Sequence, residues 1–342
     1  MHPEDRRSEP VLGASSTGRM LSHRITSDED GEEVQVICRR VFGFSRHEVS
    51  RAKFRPDGLM VDGKRTFSTY RVRTGQLLEV AIGDTLAKVL DSRLAPSTGP
   101  LSIVYEDADL LVVDKPAGLA MHSDVGHRAD TLGSRVRAHL VEQGVQTTFH
   151  AVHRLDRSTS GLVVIATNAH AQAVLQRRMH TPRFSRTYLG VVEHGFFDPG
   201  RVIAPGYALA APEGPLPCPG EMTVGDTGTV TLPIAAEPDR RGFQMVSQEG
   251  KYSCTHYRVL DELPAGLLVR FSLETGRTHQ IRVHMAAIGH PLIGDDRYGK
   301  VSARIARAAL HSAHLVLDHP VTGERLEFDS PFPEDMRSLA GG

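Results

Sequence analysis

The passage His153-Arg154-Leu155-Asp156-Arg157-Ser158-Thr159-Ser160-Gly161 runs without a break into Leu-Val-Val-Ile-Ala-Thr at 162–167. A short, wholly apolar run reads as a strand buried on both faces. The chain therefore carries a carboxylate, flanked by two fixed positive charges, to the threshold of a core. Taken alone, Asp156 in this setting fits a structural ion pair or a cap better than it fits a reactive group.

The surrounding pattern sets the fold class. Ser-Ile-Val-Tyr-Glu-Asp (102–107) and Leu-Leu-Val-Val-Asp-Lys (110–115) read as strands, closed by the turn formers Pro116 and Gly118. Asn168 is placed to cap a helix that stops near Pro182, and Ile281, Met285 and Ile288 recur at helical spacing before Gly289 and Pro291. Further strands are expected around Tyr188, over Cys254–Leu260 and Leu267–Leu273, and in a closing hairpin about Val321-Thr322-Gly323. Many strands with scattered helices specify an α+β protein with a mostly antiparallel mixed sheet.

Upstream the pattern differs. Residues 1–33 are rich in Ser, Gly, Asp and Glu without an apolar period, so a structureless tail is expected there. Residues 34–92 read as a separate α+β module: Ser45 can cap a short basic helix ending before Pro56, and Asp62-Gly63 suits a type I′ hairpin. Residues 93–100 read as a linker, 101–342 as the second domain, and 204–228 as a long Gly- and Pro-rich loop. At 342 residues the chain accommodates two domains.

Composition narrows the function classes. The formal net charge of −1 excludes nucleic-acid binding by bulk positive charge, but residues 34–90 hold eleven basic against five acidic side chains, a local patch suited to phosphates. No apolar run is long enough to span a membrane, and three widely spaced cysteines fit a reducing compartment, so a cytoplasmic protein is expected. His279 and His284 lie five apart, on different faces of a helix, and no HExxH, paired CxxC, GxSxG or phosphate-loop motif occurs. A bound zinc is not expected. A carboxylate that must stay ionised in a dry cleft needs a fixed cation nearby, and Arg282 is a candidate.

The segments YEDADLLVVDKPAGLAMH, HRLDRSTSGLVVIAT, SRTYLGVV, TGRTHQIRVHMAAIGHPLIGDDRYG and LHSAHLVLDHP resemble, in order and spacing, the motifs of the RluA-type pseudouridine synthases. The module SRHEVSRAKFRPDGLMVDGKR resembles the S4 RNA-binding domain that precedes them in members acting on large-subunit ribosomal RNA. The resemblance implies isomerisation of uridine to pseudouridine within RNA, most naturally 23S ribosomal RNA, by a monomer without metal or organic cofactor. It makes Asp156 the catalytic carboxylate, Arg282 its ion-pair partner, and Tyr188 the residue that stacks on the uracil. Arg154 then enters the space left by the turned-out base, and Arg277 either meets phosphate or caps the helix. Arg46, Arg51, Lys53 and Arg55 would touch RNA backbone. Arg186 stands where many members have Lys, which alters geometry at constant charge. Transfer RNA as substrate and a non-catalytic RNA-binding or assembly factor are the alternatives. A glycoside hydrolase would need two facing carboxylates, and Asp156 alone has the setting.

Overall fold

The expected hairpin at Asp62-Gly63 forms: both residues take positive φ, 50° and 73°, as a type I′ turn requires. It lies in a computed structural model that describes residues 18–85, 88–89, 97–122, 130–145, 147–179, 181–194, 210–211, 214–215 and 222–341. Residues 1–17 of the expected tail, 93–96 of the linker and most of the 204–228 loop fall outside these.

The first module consists of β1 (Met20–Arg24), α1 (Val34–Arg40), α2 (Arg46–Ala52), β2 (Leu59–Val61), β3 (Lys64–Arg65) and β4 (Leu77–Ala81). Ser45 caps α2 through Glu48 N–H, and Glu48 returns the bond to Ser45 N–H, a capping box. The sheet order is β1-β4-β2-β3, all antiparallel. Here the expectation of a tail through residue 33 is corrected. Leu21 and Ile25 are buried in the module's core, and β1 is paired along its length with β4. Two apolar residues among Ser, His and Arg are too few to register as a periodic strand signal. Pairing with a neighbour distant in sequence supplies what the pattern lacks.

The second domain contributes β5 (Ser102–Glu106), β6 (Leu110–Lys115), α3 (Leu132–Glu142), β7 (His150–Ala151), β8 (Ser160–Ala166), α4 (Ala169–Arg178) and β9 (Phe184–Val192). After these come β10 (Ala210–Ala211), β11 (Gly214–Pro215), β12 (Thr227–Thr231), β13 (Ile234–Ala236), β14 (Gln244–Val246), β15 (Cys254–Leu263) and β16 (Gly266–Leu273). The chain closes with α5 (Gln280–Ala287), β17 (Leu310–Asp318), β18 (Arg325–Asp329) and α6 (Glu334–Arg337). One large sheet runs β12-β15-β16-β9-β17-β8-β6-β5, with β18 on β17 and β7 on β8. Its pairings are antiparallel except β17 with β8, which are parallel.

β8 is the strand announced by the motif, and all seven of its residues are buried. Alternate residues serve opposite faces. Leu111, Val113, Val163 and Ile165 enter the core that holds α3 and α5, whereas Leu110, Val112, Leu162 and Val164 enter the one covered by α4. This double coverage explains why both strands read as unbroken apolar runs. Gly161, last in the motif, has φ 106°, and a Cβ there would lie 2.2 Å from Ser312 O. Only glycine lets β8 and β17 approach and places the Asp156 loop at their ends.

The two units meet through buried polar contacts. Asp84 accepts hydrogen bonds from Thr147 Oγ1, Thr148 N–H and Thr148 Oγ1, and lies 2.7 Å from His150 Nε2. Burial pushes its carboxyl upward, but the His150 contact, Lys88 and Thr148 N–H outweigh this and hold it far below the usual carboxylate range. Glu48 Oε1 is 2.9 Å from His170 Nδ1, and Phe44 packs on the His170 ring at 4.3 Å. Burial raises Glu48 as well, yet the bonds with His170 and Ser45 bring it from 4.5 to about 2. Because its folded value is depressed, the stability it carries is complete above 4.5 and is lost as pH falls toward about 2. Glu48→Gln is expected to lower the urea midpoint at pH 7 while shrinking the difference between pH 7 and pH 3. A variant as acid-sensitive as the wild type would contradict this role.

Candidate active site

The cleft forms where the loop between β7 and β8 faces the start of α5. Two backbone anchors fix that loop. On one side Gly118 N–H donates to Arg157 O at 2.7 Å and Arg157 Nε donates to Gly118 O at 2.8 Å. Behind them the fully buried Lys115 donates to Pro116 O and Leu119 O at 2.9 and 3.0 Å, with Arg157 O at 3.5 Å. Burial, against the attraction of Asp156, brings this amine down to about 7. On the other side Arg307 Nη1 donates to Ser158 O at 3.2 Å. Asp156 is thus held by its backbone, while its side chain, 15% exposed, makes no hydrogen bond to the described residues.

The cleft encloses about 470 Å³ and is lined by Arg154, Asp156, Arg186, Tyr188, Arg277, His279 and Arg282, among others. Tyr188 is buried on β9, its hydroxyl 3.5 Å from Arg186 Nη1. Arg154 is exposed at the rim. Arg277, also exposed, donates from Nε to Tyr252 O at 3.1 Å, and its N–H donates to Gln280 Oε1 at 3.0 Å, a turn that precedes α5. Four guanidinium groups line the cleft against two carboxylates, Asp156 and Glu274, a setting that attracts a polyanion.

Arg282 is buried on the cleft wall, but the expected ion pair with Asp156 is not formed. Its Nε and Nη2 donate to Asp295 at 2.8 and 2.6 Å, and Nη1 lies 3.5 Å from Ser158 Oγ. Burial pulls the guanidinium down, while the bonds and charge of Asp295, followed by the charge of Asp156, raise it. The physical reason is competition. A bidentate carboxylate with no exposed surface outbids one that still reaches solvent. Arg282 acts on Asp156 through space.

Sequence reasoning assigned no role to Asp295, Tyr298 or His279. The signal for Asp295 was available: an arginine on the buried face of an apolar helix demands a carboxylate, and GDDRYG follows that helix directly. Nothing local marked His279, because its position depends on backbone dihedrals. Of the expected RNA contacts on the first module, Arg46, Arg51 and Lys53 are exposed on or just after α2. Arg55 instead turns inward and donates to Gly83 O at 2.8 Å, so it is a brace rather than a free cation.

Among the described residues one trio could approach a metal ion, Cys254, His256 and Glu274. Both nitrogens of His256 are already engaged, Nδ1 with Thr229 Oγ1 and Nε2 with Glu274, each at 2.9 Å. The trio reads as a hydrogen-bonded cluster on the sheet.

Residues 109–287, which include β8, β9, the cleft and α5, match the family described as RNA pseudouridylate synthase. The chain belongs to the RNA pseudouridine synthase family. The synthase is 35% identical over 285 residues to an uncharacterized RNA pseudouridine synthase, YlyB, of Bacillus subtilis, covering 82% of this chain and 84% of that protein. It is also 35% identical over 327 residues to ribosomal large subunit pseudouridine synthase D of Pseudomonas aeruginosa, covering 90% of each. The solved structure of human RNA pseudouridylate synthase domain containing 4, 21% identical, has the same fold, with a TM-score of 0.50 over 69% of this chain and 90% of that one. The synthase is therefore an isomerase of uridine, of α+β fold with a mostly antiparallel mixed sheet. No helix among its described residues is long and apolar enough to cross a membrane.

Proposed function

We propose that the synthase converts uridines of large-subunit ribosomal RNA to pseudouridine, with Asp156 as the reacting carboxylate. The observation that carries this is a carboxylate fixed by its backbone, without a hydrogen-bond partner among the described residues, in a cleft also lined by Tyr188, Arg186 and Arg282. The names of its relatives support ribosomal RNA over transfer RNA.

Two routes use this geometry. In one, an oxygen of Asp156 bonds to C1′ as the C1′–N1 bond breaks, and the bonding electrons leave with the uracil. In the other, Asp156 takes a sugar proton and leaves a glycal. In either case the base turns over within the cleft and C5 bonds to C1′, as the Asp156–C1′ bond breaks in the first route or as Asp156 returns its proton to the sugar carbon in the second; the C5 proton then departs and N1 gains a proton. Both routes require the ionised carboxylate. Reaching the base requires flipping it from its stack, at a cost of a few kcal/mol that stacking on Tyr188 and occupation of the vacated space by Arg154 offset. Arg277 meets phosphate at the rim.

The module spanning residues 34–92, with β1 added, serves in this reading as an S4-like RNA grip. Lys53 lies over the ring of Phe54 at 4.9 Å, and Phe54 is 74% exposed, an aromatic and a cation offered together to a base and its phosphate. Arg46 and Arg51 extend the same basic segment. The free thiols of Cys38 and Cys254 suit a reducing cytoplasm.

Carbodiimide-induced reverse-transcription stops, mapped on ribosomal RNA from a strain lacking the gene, test the substrate. At least one stop in the large subunit should vanish and return on complementation, whereas an unchanged ribosomal pattern with a lost site in transfer RNA would overturn the substrate assignment. For the module, Lys53→Glu with Arg51→Glu is expected to reduce the slope of log affinity against log salt by about 2. An unchanged slope in filter binding would remove the module from the interface.

A further inference from the structure

We infer that His279 is a positioning residue: its Nε2–H orients the Asp156 carboxylate, and Tyr298 fixes the tautomer that allows it. The inference rests on the isomerase reading above and adds to it a group outside the Asp, Tyr and Arg set.

Three observations converge on this residue. The first is backbone strain. His279 has φ 56° and ψ 20°, left-handed values that cost a non-glycine residue about 1 kcal/mol. Among the described residues the other non-glycine residue with positive φ, Asp62, serves a hairpin turn. His279 stands at the N-cap of α5, yet its side chain makes no capping bond, so the helix gives no reason for histidine here.

The second is the proton inventory around Tyr298. This buried phenol accepts Gln244 N–H at 2.8 Å and lies 2.7 Å from His279 Nδ1. Its own O–H needs an acceptor, and among the described residues Nδ1 is the one in reach. Nδ1 therefore accepts, which places the imidazole proton on Nε2. Burial lowers the pKa of His279 and keeps the ring neutral at pH 7, so the single N–H stays where Tyr298 has put it.

The third is direction. Nε2 lies 4.0 Å from Asp156 Oδ1, and both side chains are mostly buried in the cleft wall. No side-chain donor of the described residues bonds that carboxylate in the free protein, and the Nε and Nη2 of Arg282 are spent on Asp295. Catalytic hydrogen bonds are commonly long in the free enzyme, and a contraction of about 1 Å on substrate binding brings this pair to bonding distance. With Oδ1 held, Oδ2 is presented to the ribose in one rotamer.

Two substitutions give opposite rank orders under the two explanations. Asparagine suits left-handed φ better than histidine and ends near the Nδ1 position, so it reaches Tyr298 but not Asp156. Glutamine suits the backbone less but carries an N–H out to the Nε2 position. The assay is single-turnover tritium release, at saturating protein, from large-subunit ribosomal RNA transcribed with 5-tritiated uridine, with melting temperature and RNA affinity measured in parallel. His279→Asn is expected to be as stable as the wild type and slower by roughly 10- to 100-fold. His279→Gln is expected to be less stable but faster than His279→Asn, with RNA affinity within about 2-fold of wild type for both. If His279→Asn matches or exceeds His279→Gln in rate, the histidine is merely structural and the inference is overturned. A wild-type chain that releases no tritium overturns the isomerase reading itself, so the two failures are distinguishable.

Discussion

Asp156→Asn is expected to bind ribosomal RNA and release no tritium from 5-labelled uridine, with a rate below roughly one ten-thousandth of wild type. Asparagine keeps the shape of the side chain but can neither attack C1′ as an anion nor accept a sugar proton. Since the backbone anchors from Gly118, Lys115 and Arg307 reach the peptide groups of residues 157 and 158, the loop should keep its place. Affinity should hold or improve, because a negative charge facing phosphates has been removed. Filter binding combined with tritium release checks both halves. Turnover near the wild-type rate would remove Asp156 from the chemistry, and lost binding would make its role one of assembly.

The second large effect concerns stability. Arg282→Met removes the guanidinium that satisfies Asp295, leaving a carboxylate with no exposed surface supported by the backbone N–H groups of Arg297 and Tyr298 at 3.1 and 3.2 Å. Breaking one half of a buried pair costs about 3–5 kcal/mol, seen as a lower denaturation midpoint. Adding Asp295→Leu should restore much of that stability, since an apolar pair of similar volume no longer strands a charge. Activity should not return with it, because the field of Arg282 at Asp156 is gone. A stable, fully active double variant would show that the arginine serves folding alone.

Much of this was legible in the sequence because it rests on local rules. The unbroken apolar runs at 110–113 and 162–166 specified central strands. Ser45 and Asn168 specified helix starts, and Asp62-Gly63 specified a turn. Asp156 and Tyr188 stood out by the company they keep, and the structure brings both to one cleft. What escaped depends on distant partners. β1 exists because β4 is there to pair with it. Arg282 chose Asp295 over Asp156 because relative burial, which no spacing encodes, decides such a competition. Arg55 looked identical to its neighbours in the basic segment until packing turned it inward. His279 was hidden most deeply, since its placement follows from a dihedral angle and a proton donated by a residue nineteen positions away.

The junction built from Asp84, Glu48, His150 and His170 has a consequence for reach. A tethered grip would sample many separations from the cleft, and its contribution would be an effective concentration set by the tether. Here α2 is seated against the second domain by buried carboxylate–histidine contacts, so the span between α2 and Asp156 is set by side-chain packing. If α2 is the RNA handhold proposed above, the enzyme works as a calliper, admitting those RNA folds whose backbone and everted nucleotide already stand at that separation.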